Sequence, residues 1–244
     1  MDALTVSAAS GLRARMESLE MLANNLANAA TGGYKADREF YSLYVSPEAE
    51  DGSTPASTLP VVERQWTDFS AGSLRVTNNP LDVALAGRGF LAVEGPSGPL
   101  YTRNGSFRLA ADGALVASEG YPVRAAGGGT LRLEPGVPVE ILPDGTVRQR
   151  GQAAGRLELV DFSAGGLAKR GNTYFQAAGP AVRTATAAGT QVHQGKLEDS
   201  NVGAPESAVR LVSLMRQFEM LQKAVSLGSE MNRRALEEVA RPGS

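Results

Sequence analysis

The stretch Leu12-Arg-Ala-Arg-Met-Glu-Ser-Leu-Glu-Met-Leu-Ala-Asn-Asn-Leu26 carries apolar residues at alternating intervals of four and three, beginning with Leu12, Met16 and Leu19. This spacing places them along one side of an α-helix, as in the heptads of coiled coils. Residues 4–30 contain no proline and a single glycine, and the Thr-Gly-Gly sequence at 31–33 supplies glycine for a left-handed C-cap. The sequence therefore predicts an amphipathic helix that ends at this Thr-Gly-Gly sequence.

A second amphipathic helix is predicted near the other end of the chain. Asp199-Ser-Asn201 offers capping side chains, and Pro205-Glu206 offers a proline and an acid suited to a first helical turn. The pattern weakens towards Arg241-Pro242, where the proline ends it. Its apolar positions again step by three and four residues, at Leu211, Leu214, Phe218, Leu221 and Val225.

The sequence between the helices is typical of β-structure. From about residue 73 to 183, short β-type runs alternate with turn dipeptides. Two Asp-Gly turns, at 112–113 and 144–145, have similar surroundings, which is consistent with a weakly duplicated hairpin. Residues 35–72 differ, because three prolines and Ser/Thr clusters interrupt two short runs. This part is predicted to be an exposed extension, for which a loose hairpin would be suitable.

The predicted fold class is mixed but mainly β. A central all-β domain is flanked by N- and C-terminal amphipathic α-helices, which together form a discontinuous helical domain. The predicted divisions are residues 1–34 with 203–244 as a terminal helical assembly domain, 35–72 as an extension, and 73–202 as the β-rich domain with its return segment.

The charge balance, the apolar runs and the lack of cysteine argue against several classes of function. Lys and Arg number 24 against 26 Asp and Glu, a formal net charge of -2, so there is no basic surplus for binding a nucleic-acid backbone. The apolar runs are far shorter than the roughly 20 residues that span a bilayer, so no membrane insertion is expected. The chain has no cysteine, which excludes disulfides and thiolate sites. The N-terminus shows neither a basic n-region nor an apolar h-region, so we expect no cleavable secretory signal.

Catalytic chemistry finds little support in the sequence. His193 is the sole histidine, and no nucleophile-elbow motif accompanies it. Glu237-Glu238 are adjacent on a predicted helix and point to different faces, which suits solvated charges better than a catalytic pair. The glycine run at 127–129 lacks a following Lys-Ser/Thr and is expected to be a turn. We expect no enzyme, no cofactor and no metal site.

Each predicted helix has an apolar stripe that it cannot bury alone. The two helices can pack on each other or on the β domain within one molecule, as in a self-contained secreted binding module. Alternatively, they can pair and bury the remaining surface on neighbouring subunits, as in a filament whose head-to-tail contacts do not close. The periodic pattern alone is compatible with both arrangements.

The stretch Met21-Leu-Ala-Asn-Asn-Leu-Ala-Asn-Ala-Ala-Thr-Gly-Gly-Tyr-Lys35 resembles the N-terminal signature of flagellar rod and hook proteins. Two more segments are similar to the same family: residues 79–90 with Tyr101-Thr-Arg-Asn-Gly-Ser-Phe107, and Leu197-Glu-Asp-Ser-Asn-Val202 with residues 216–219. They occur in family order across nearly the whole chain.

Within the family, the stretches Gly155-Arg-Leu-Glu-Leu-Val-Asp-Phe162 and Leu167-Ala-Lys-Arg-Gly171 look most like proximal rod subunits. A distal rod or hook-type axial subunit is the alternative. The resemblance also implies that residues 35–72 are the variable part of the family.

The resemblance implies that terminal helices from many copies form the inner wall of a tube, with the β domain outside. The implied partners are other rod and hook-basal-body subunits, further copies of this chain in a helical rod, and the flagellar type III export apparatus. The implied location is the basal-body rod, which crosses the periplasm.

The terminal helices supply the expected assembly interface. Asn24, Asn25 and Asn28 lie beside Leu22 and Leu26, where short amides can bridge to groups of a neighbour. Gly32 and Gly33 are expected as a hinge, with a plain C-cap as the alternative. The expected interface residues are Leu12, Met16, Leu19, Leu22, Asn24, Asn25, Leu26, Asn28, Leu211, Leu214, Phe218, Leu221 and Val225.

Overall fold

A computed structural model of the chain describes residues 3–45, 58–162, 165–171, 173–179, 184–187 and 189–239. A helix lies near each end and short strands lie between them, so the predicted fold class is confirmed. The helices are α1 (Ala3–Ala27) and α2 (Ala204–Val239). The strands are β1 (Asp37–Val45), β2 (Thr58–Thr67), β3 (Leu74–Val76), β4 (Val83–Ala86), β5 (Phe90–Gly95), β6 (Gly98–Thr102), β7 (Phe107–Leu109), β8 (Leu115–Ala117), β9 (Val139–Ile141), β10 (Thr146–Gln149), β11 (Gln152–Arg156), β12 (Leu159–Phe162), β13 (Leu167–Arg170), β14 (Tyr174–Ala177), β15 (Thr184–Thr186), β16 (Gln191–Gln194) and β17 (Lys196–Glu198).

The chain divides into two compact units. Unit 1 contains α1, the hairpin of β1 and β2, and α2; unit 2 contains residues 28–36 and 69–202. The hairpin, which falls in the predicted extension at 35–72, is grouped with the helices because β1 and β2 both contact α1. The domain boundaries derived from the sequence stay a prediction.

Unit 1 combines two helices with a long antiparallel hairpin. β1 pairs with β2 from Asp37 opposite Thr67 to Val45 opposite Thr58, with one register shift between Phe40 and Tyr41. α1 packs against both α2 and the hairpin. α1 ends at Ala27, before the predicted Thr-Gly-Gly stop, and the chain then turns.

Unit 2 is built around a six-stranded antiparallel sheet in the order β13-β14-β6-β5-β12-β15. One hydrophobic core contains Leu91, Val93, Leu115 and Leu157, all almost fully buried. A second core is mainly aromatic, and its rings pack edge to face; it contains Phe90, Tyr101, Phe162 and Phe175, with Phe69 packed against it.

The two Asp-Gly turns do form matching hairpins. β7 pairs with β8 around Gly113, and β9 pairs with β10 around Gly145. Both glycines have positive φ, 80° and 86°, and both amides donate to the carbonyl three residues earlier. The preceding aspartates each accept a hydrogen bond from the amide two residues later. Similar local sequence has therefore produced the same turn twice.

Candidate functional site: the terminal helices and a buried ionic cluster

The predicted stripe on α2 lies on the least exposed side of the helix. Leu214 is buried, and Leu211, Phe218, Leu221 and Val225 are half-buried. Since α2 packs on α1 within unit 1, part of this stripe is covered inside one chain. This is the intramolecular packing that the sequence left as one of two alternatives.

A second apolar stripe on α2 was missed by the sequence analysis. Val209, Met220, Leu227 and Met231 are between 60 and 72 % exposed, and Val212 is exposed beside them. At about 100° per residue, these four positions fall within about 40° of one another, on the side opposite the Leu214 stripe. Their spacings of eleven, seven and four residues are helical, but the stronger three-four pattern of the first stripe hid them. α2 therefore has two opposite apolar sides.

On α1 the structure buries a different face from the predicted one. The predicted stripe is largely accessible, because Met16 is exposed and Leu12, Leu19 and Leu26 are only half-buried. Among residues 11–27 of α1, for which side-chain burial is described, the buried residues are Ala14, Ser18, Met21, Leu22 and Asn25. Small and polar side chains make up much of this face, so apolar periodicity could not reveal it.

Ser18 explains why that face is polar. Its hydroxyl donates to the carbonyl of Ala14 at 2.9 Å, and it also lies 2.9 Å from a carboxylate oxygen of Glu39 on β1. The Glu39 side chain is only 1 % exposed, and its other oxygen lies 3.8 Å from the guanidinium of Arg210 on α2. One buried carboxylate thus joins both helices to the hairpin. Nothing in the sequence singles out Glu39, because its partners are distant in the chain.

Two asparagines of the N-terminal signature, Asn25 and Asn28, form side-chain hydrogen bonds within the chain. Asn25 is buried; its side-chain amide donates to the carbonyl of Asp37 at 2.8 Å and accepts from the Asp37 amide at 3.0 Å. Asn28 is buried; its side-chain oxygen accepts from the Thr31 hydroxyl at 3.2 Å, and its backbone carbonyl accepts from the Thr31 amide at 3.0 Å. Asn24 is exposed. Contacts of these residues with other subunits stay a prediction, but the amides of Asn25 and Asn28 are engaged in the fold.

Unit 2 contains a buried ionic cluster. Two of its residues are near the helices in sequence, since Lys35 follows α1 and Glu198 precedes α2. The ammonium of Lys35 lies 2.5 Å from one carboxylate oxygen of Glu198, and the guanidinium of Arg103 lies 3.1 Å from the other. The Lys35 and Glu198 side chains are fully buried, and that of Arg103 is nearly so. Each of the three belongs to a different segment of the family resemblance. Segments that were separate in the sequence therefore meet at one carboxylate.

Ser70 and Asn201 complete this cluster. Lys35 donates to the carbonyl of Ser70 at 2.7 Å, and the Asn201 side chain accepts from the Ala36 amide at 2.8 Å. Lys169 on β13 lies 4.1 Å from the centre of the buried Tyr34 ring and donates to the Lys35 carbonyl. We call the set Lys35, Ser70, Arg103, Glu198 and Asn201 the junction cluster.

The expected hinge glycines lie beside the junction cluster. Gly33 has a φ of +69°, and a Cβ there would meet the Asn104 amide at 2.3 Å. Its own amide donates to the Glu198 carbonyl at 2.7 Å. Gly32 is half-buried. Glycine is thus required at 33 for close backbone approach, whereas a hinge at either residue stays a prediction.

Neither described helix combines the length and the apolar character that a membrane-spanning segment needs.

Three protein families match separate parts of the chain. The family "Flagella basal body rod protein" matches residues 7–35, which lie in α1 and the start of unit 2. The family "Flagellar hook protein FlgE/F/G D1 domain" matches residues 84–149 of unit 2. The family "Flagellar basal body rod FlgEFG protein C-terminal" matches residues 193–238 and therefore includes nearly all of α2.

Relatives align along almost the full length. The chain is 34% identical, over 98% of both proteins, to the flagellar basal-body rod protein FlgF of Caulobacter vibrioides. It is 30% identical to the flagellar basal-body rod protein FlgG of Buchnera aphidicola subsp. Schizaphis graminum, over 91% of this chain and 94% of that protein. The FlgF protein of Escherichia coli is 31% identical over 93% of this chain and 94% of its own length. The chain therefore belongs to the family of flagellar basal-body rod proteins.

Proposed function

We propose that this chain is a subunit of the proximal rod and that it polymerises through its terminal helices. A structural role in the flagellar basal body, in association with its other subunits, follows from the family. The proximal position is supported by the FlgF relative that aligns over 98% of the chain at 34% identity. The distal rod is the second candidate, because FlgG relatives align nearly as completely, at 30% identity. The proposal assigns the chain no catalysis.

The exposed second stripe of α2 is the observation that supports polymerisation through the helices. Within unit 1, α2 packs on α1, yet Val209, Met220, Leu227 and Met231 remain in solvent on the opposite side. Large apolar side chains aligned in this way on a surface indicate an interaction site. Over the 22 residue steps from Val209 to Met231 the stripe is about 33 Å long, which suits lateral packing against another helix.

The two stripes make different contacts in this proposal. The Leu214 side of α2 pairs with α1 in the same subunit, whereas the second stripe packs on a neighbour. In this proposal the second stripe packs on a different surface of the neighbouring subunit, so the contact joins two unlike surfaces. Contacts between unlike surfaces generate open helical assemblies. α2 thus packs on α1 within its own subunit through one stripe and on a neighbouring subunit through the other, which combines the two arrangements that the sequence allows.

The test is the substitution Leu227→Asp, with Ser226→Asp as the matched control. Both positions are exposed, but Ser226 lies about 100° around the helix from the stripe. A charge at Leu227 leaves the subunit folded, because the site is in solvent, and abolishes rod growth, because an unpaired charge is then buried between subunits. We expect non-motile cells without complete rods for Leu227→Asp, and normal motility for Ser226→Asp. Full motility of the Leu227→Asp strain, with intact basal bodies, would refute assembly through this stripe.

The axial position needs a separate experiment. The gene is introduced into one strain that lacks its proximal rod protein and another that lacks its distal rod protein, and basal bodies are imaged by electron microscopy. A proximal subunit restores rod growth only in the first strain. Restoration in the second strain alone would assign the chain to the distal rod.

We also propose export through the flagellar type III apparatus, which membership of the rod family supports. Secretion of the epitope-tagged chain into the medium by a strain blocked in rod assembly, and its loss when the export ATPase is deleted, is the expected result. Secretion that persists without the ATPase and the export gate would contradict this route.

A further inference from the structure

We infer that the junction cluster is a clasp that ties together three of the four points at which the chain passes between the two units, so that these three connections open together or not at all. This inference does not depend on the axial position of the subunit. The chain enters or leaves unit 2 at residues 28, 36, 69 and 202. Three of these four crossings lie within two residues of a member of the junction cluster.

Each of the three connecting segments is bonded directly to the other two. Lys35, on the first segment, donates to the carbonyl of Ser70, on the second. Asn201, on the third, donates through its side chain to the same carbonyl at 3.2 Å. The Ala36 amide donates to the Asn201 side chain at 2.8 Å, which joins the first segment to the third. No connecting segment can separate from unit 2 at this point without breaking its hydrogen bonds to both of the other segments.

A single buried carboxylate serves the whole clasp. Glu198 accepts from Lys35 and Arg103 and, through the same oxygen that binds Lys35, from the Gly72 amide at 3.0 Å. If Lys35 is removed, the carboxylate loses one of its two buried cations and the Ser70 carbonyl loses its ammonium donor. A buried charge whose partner is removed is costly, because water cannot replace the lost interaction.

The backbone leaves little space for a partial opening. Gly33 lies so close to Arg103 and Asn104 that a Cβ would overlap their backbone atoms, and its amide bonds to the Glu198 carbonyl. Gly72 is equally close to Asp199, whose carbonyl oxygen would lie 2.0 Å from a Cβ. Movement of residues 33–35 therefore displaces the strand that carries Glu198, and with it the Gly72 segment.

The test is amide hydrogen exchange of the full-length chain carrying Lys35→Met, with Arg75→Met as the matched control. Arg75 pairs with Asp199, the neighbour of Glu198, but this ion pair is largely exposed. The informative amides are those of Gly33, Gly72 and Asn201, one on each segment. The Gly33 and Gly72 amides donate to Glu198, and the Asn201 amide donates to the carbonyl of Tyr34 on the first segment. The Val123 amide, bonded to Leu115 in the core, reports on unit 2 as a whole.

In Lys35→Met we expect the three clasp amides to exchange faster together, on the order of a hundredfold, with little change at Val123. Arg75→Met should leave all four amides within a few-fold of the parent chain. Acceleration at Gly33 alone would overturn the clasp, and so would equal acceleration of Val123, which would indicate general loss of stability. Glu198→Gln, which keeps the shape of the side chain, is the second variant if Lys35→Met does not fold, and the same outcomes apply to it.

Discussion

Tyr174 on β14 is a buried phenol, and its burial predicts that the stability of the chain falls at alkaline pH. Its ring meets that of Tyr121 edge to face, with 5.3 Å between the centroids. Burial raises the pKa of Tyr174 from 10.0 to about 12, and the nearby carboxylate of Glu119 acts in the same direction. Desolvation disfavours the phenolate, so the folded chain holds this proton more tightly than the unfolded chain does.

The sign of the resulting pH dependence follows from this difference. Below pH 10 the phenol of Tyr174 is neutral in both states, and its contribution to stability is complete. Between pH 10 and about 12 the unfolded chain ionises first, so the free energy of unfolding falls by up to about 1.4 kcal/mol per pH unit. We expect Tyr174→Phe to reduce this slope in urea titrations across that range. Equal slopes for the two proteins would show that Tyr174 is not responsible.

The hairpins β7–β8 and β9–β10 allow a matched comparison of two turns at the scale of single elements. Gly113 and Gly145 occupy the same turn position with nearly equal positive φ. Alanine at either site incurs the left-handed backbone penalty of about 1 to 2 kcal/mol. At Gly113 a Cβ would also lie 2.6 Å from the Leu133 carbonyl oxygen, whereas at Gly145 the nearest atoms are 3.6 Å away.

We therefore expect Gly113→Ala to lower the free energy of unfolding clearly more than Gly145→Ala does. The measurement is urea denaturation of the two variants beside the parent chain. If both variants lose the same amount, the backbone conformation alone accounts for the cost, and the approach of Leu133 contributes nothing.

These elements also show what sequence reasoning can and cannot find. Apolar periodicity revealed both helices, and Asp-Gly dipeptides revealed the paired hairpins, because these signals are local. The buried face of α1 was missed, because Ser18 and Asn25 are polar and their partners are on β1. The second stripe of α2 was missed because its members lie eleven, seven and four residues apart, a weaker pattern than the three-four spacing of the first stripe.

At the scale of the whole molecule, the same limit applies to the junction cluster. Lys35, Arg103 and Glu198 each lie in a segment that resembles the family, but these segments are far apart in the sequence. Their meeting at one carboxylate depends on how the strands of unit 2 pair, and local sequence patterns do not specify that pairing. A single buried Lys or Glu in a polar segment reads as a solvated charge.

The division into two units predicts separate responses to core truncation. Leu214 is buried in unit 1 and Leu131 in unit 2. Replacing either leucine by alanine should cost its own unit about 2 to 5 kcal/mol, through lost burial and a residual cavity. The chain provides a reporter for unit 1, because its single tryptophan, Trp66, lies on β2. The exchange of the Val123 amide reports on unit 2.

We expect Leu214→Ala to move the unfolding transition seen by Trp66 fluorescence to lower urea while Val123 keeps its protection. Leu131→Ala should do the reverse, accelerating Val123 exchange and leaving the Trp66 transition near its original midpoint. Independent responses are expected because compact parts of a chain that each have their own buried core can unfold as separate cooperative units. If each truncation moves both reporters equally, the two units unfold as one, and the junction cluster is then the first place to look for the coupling.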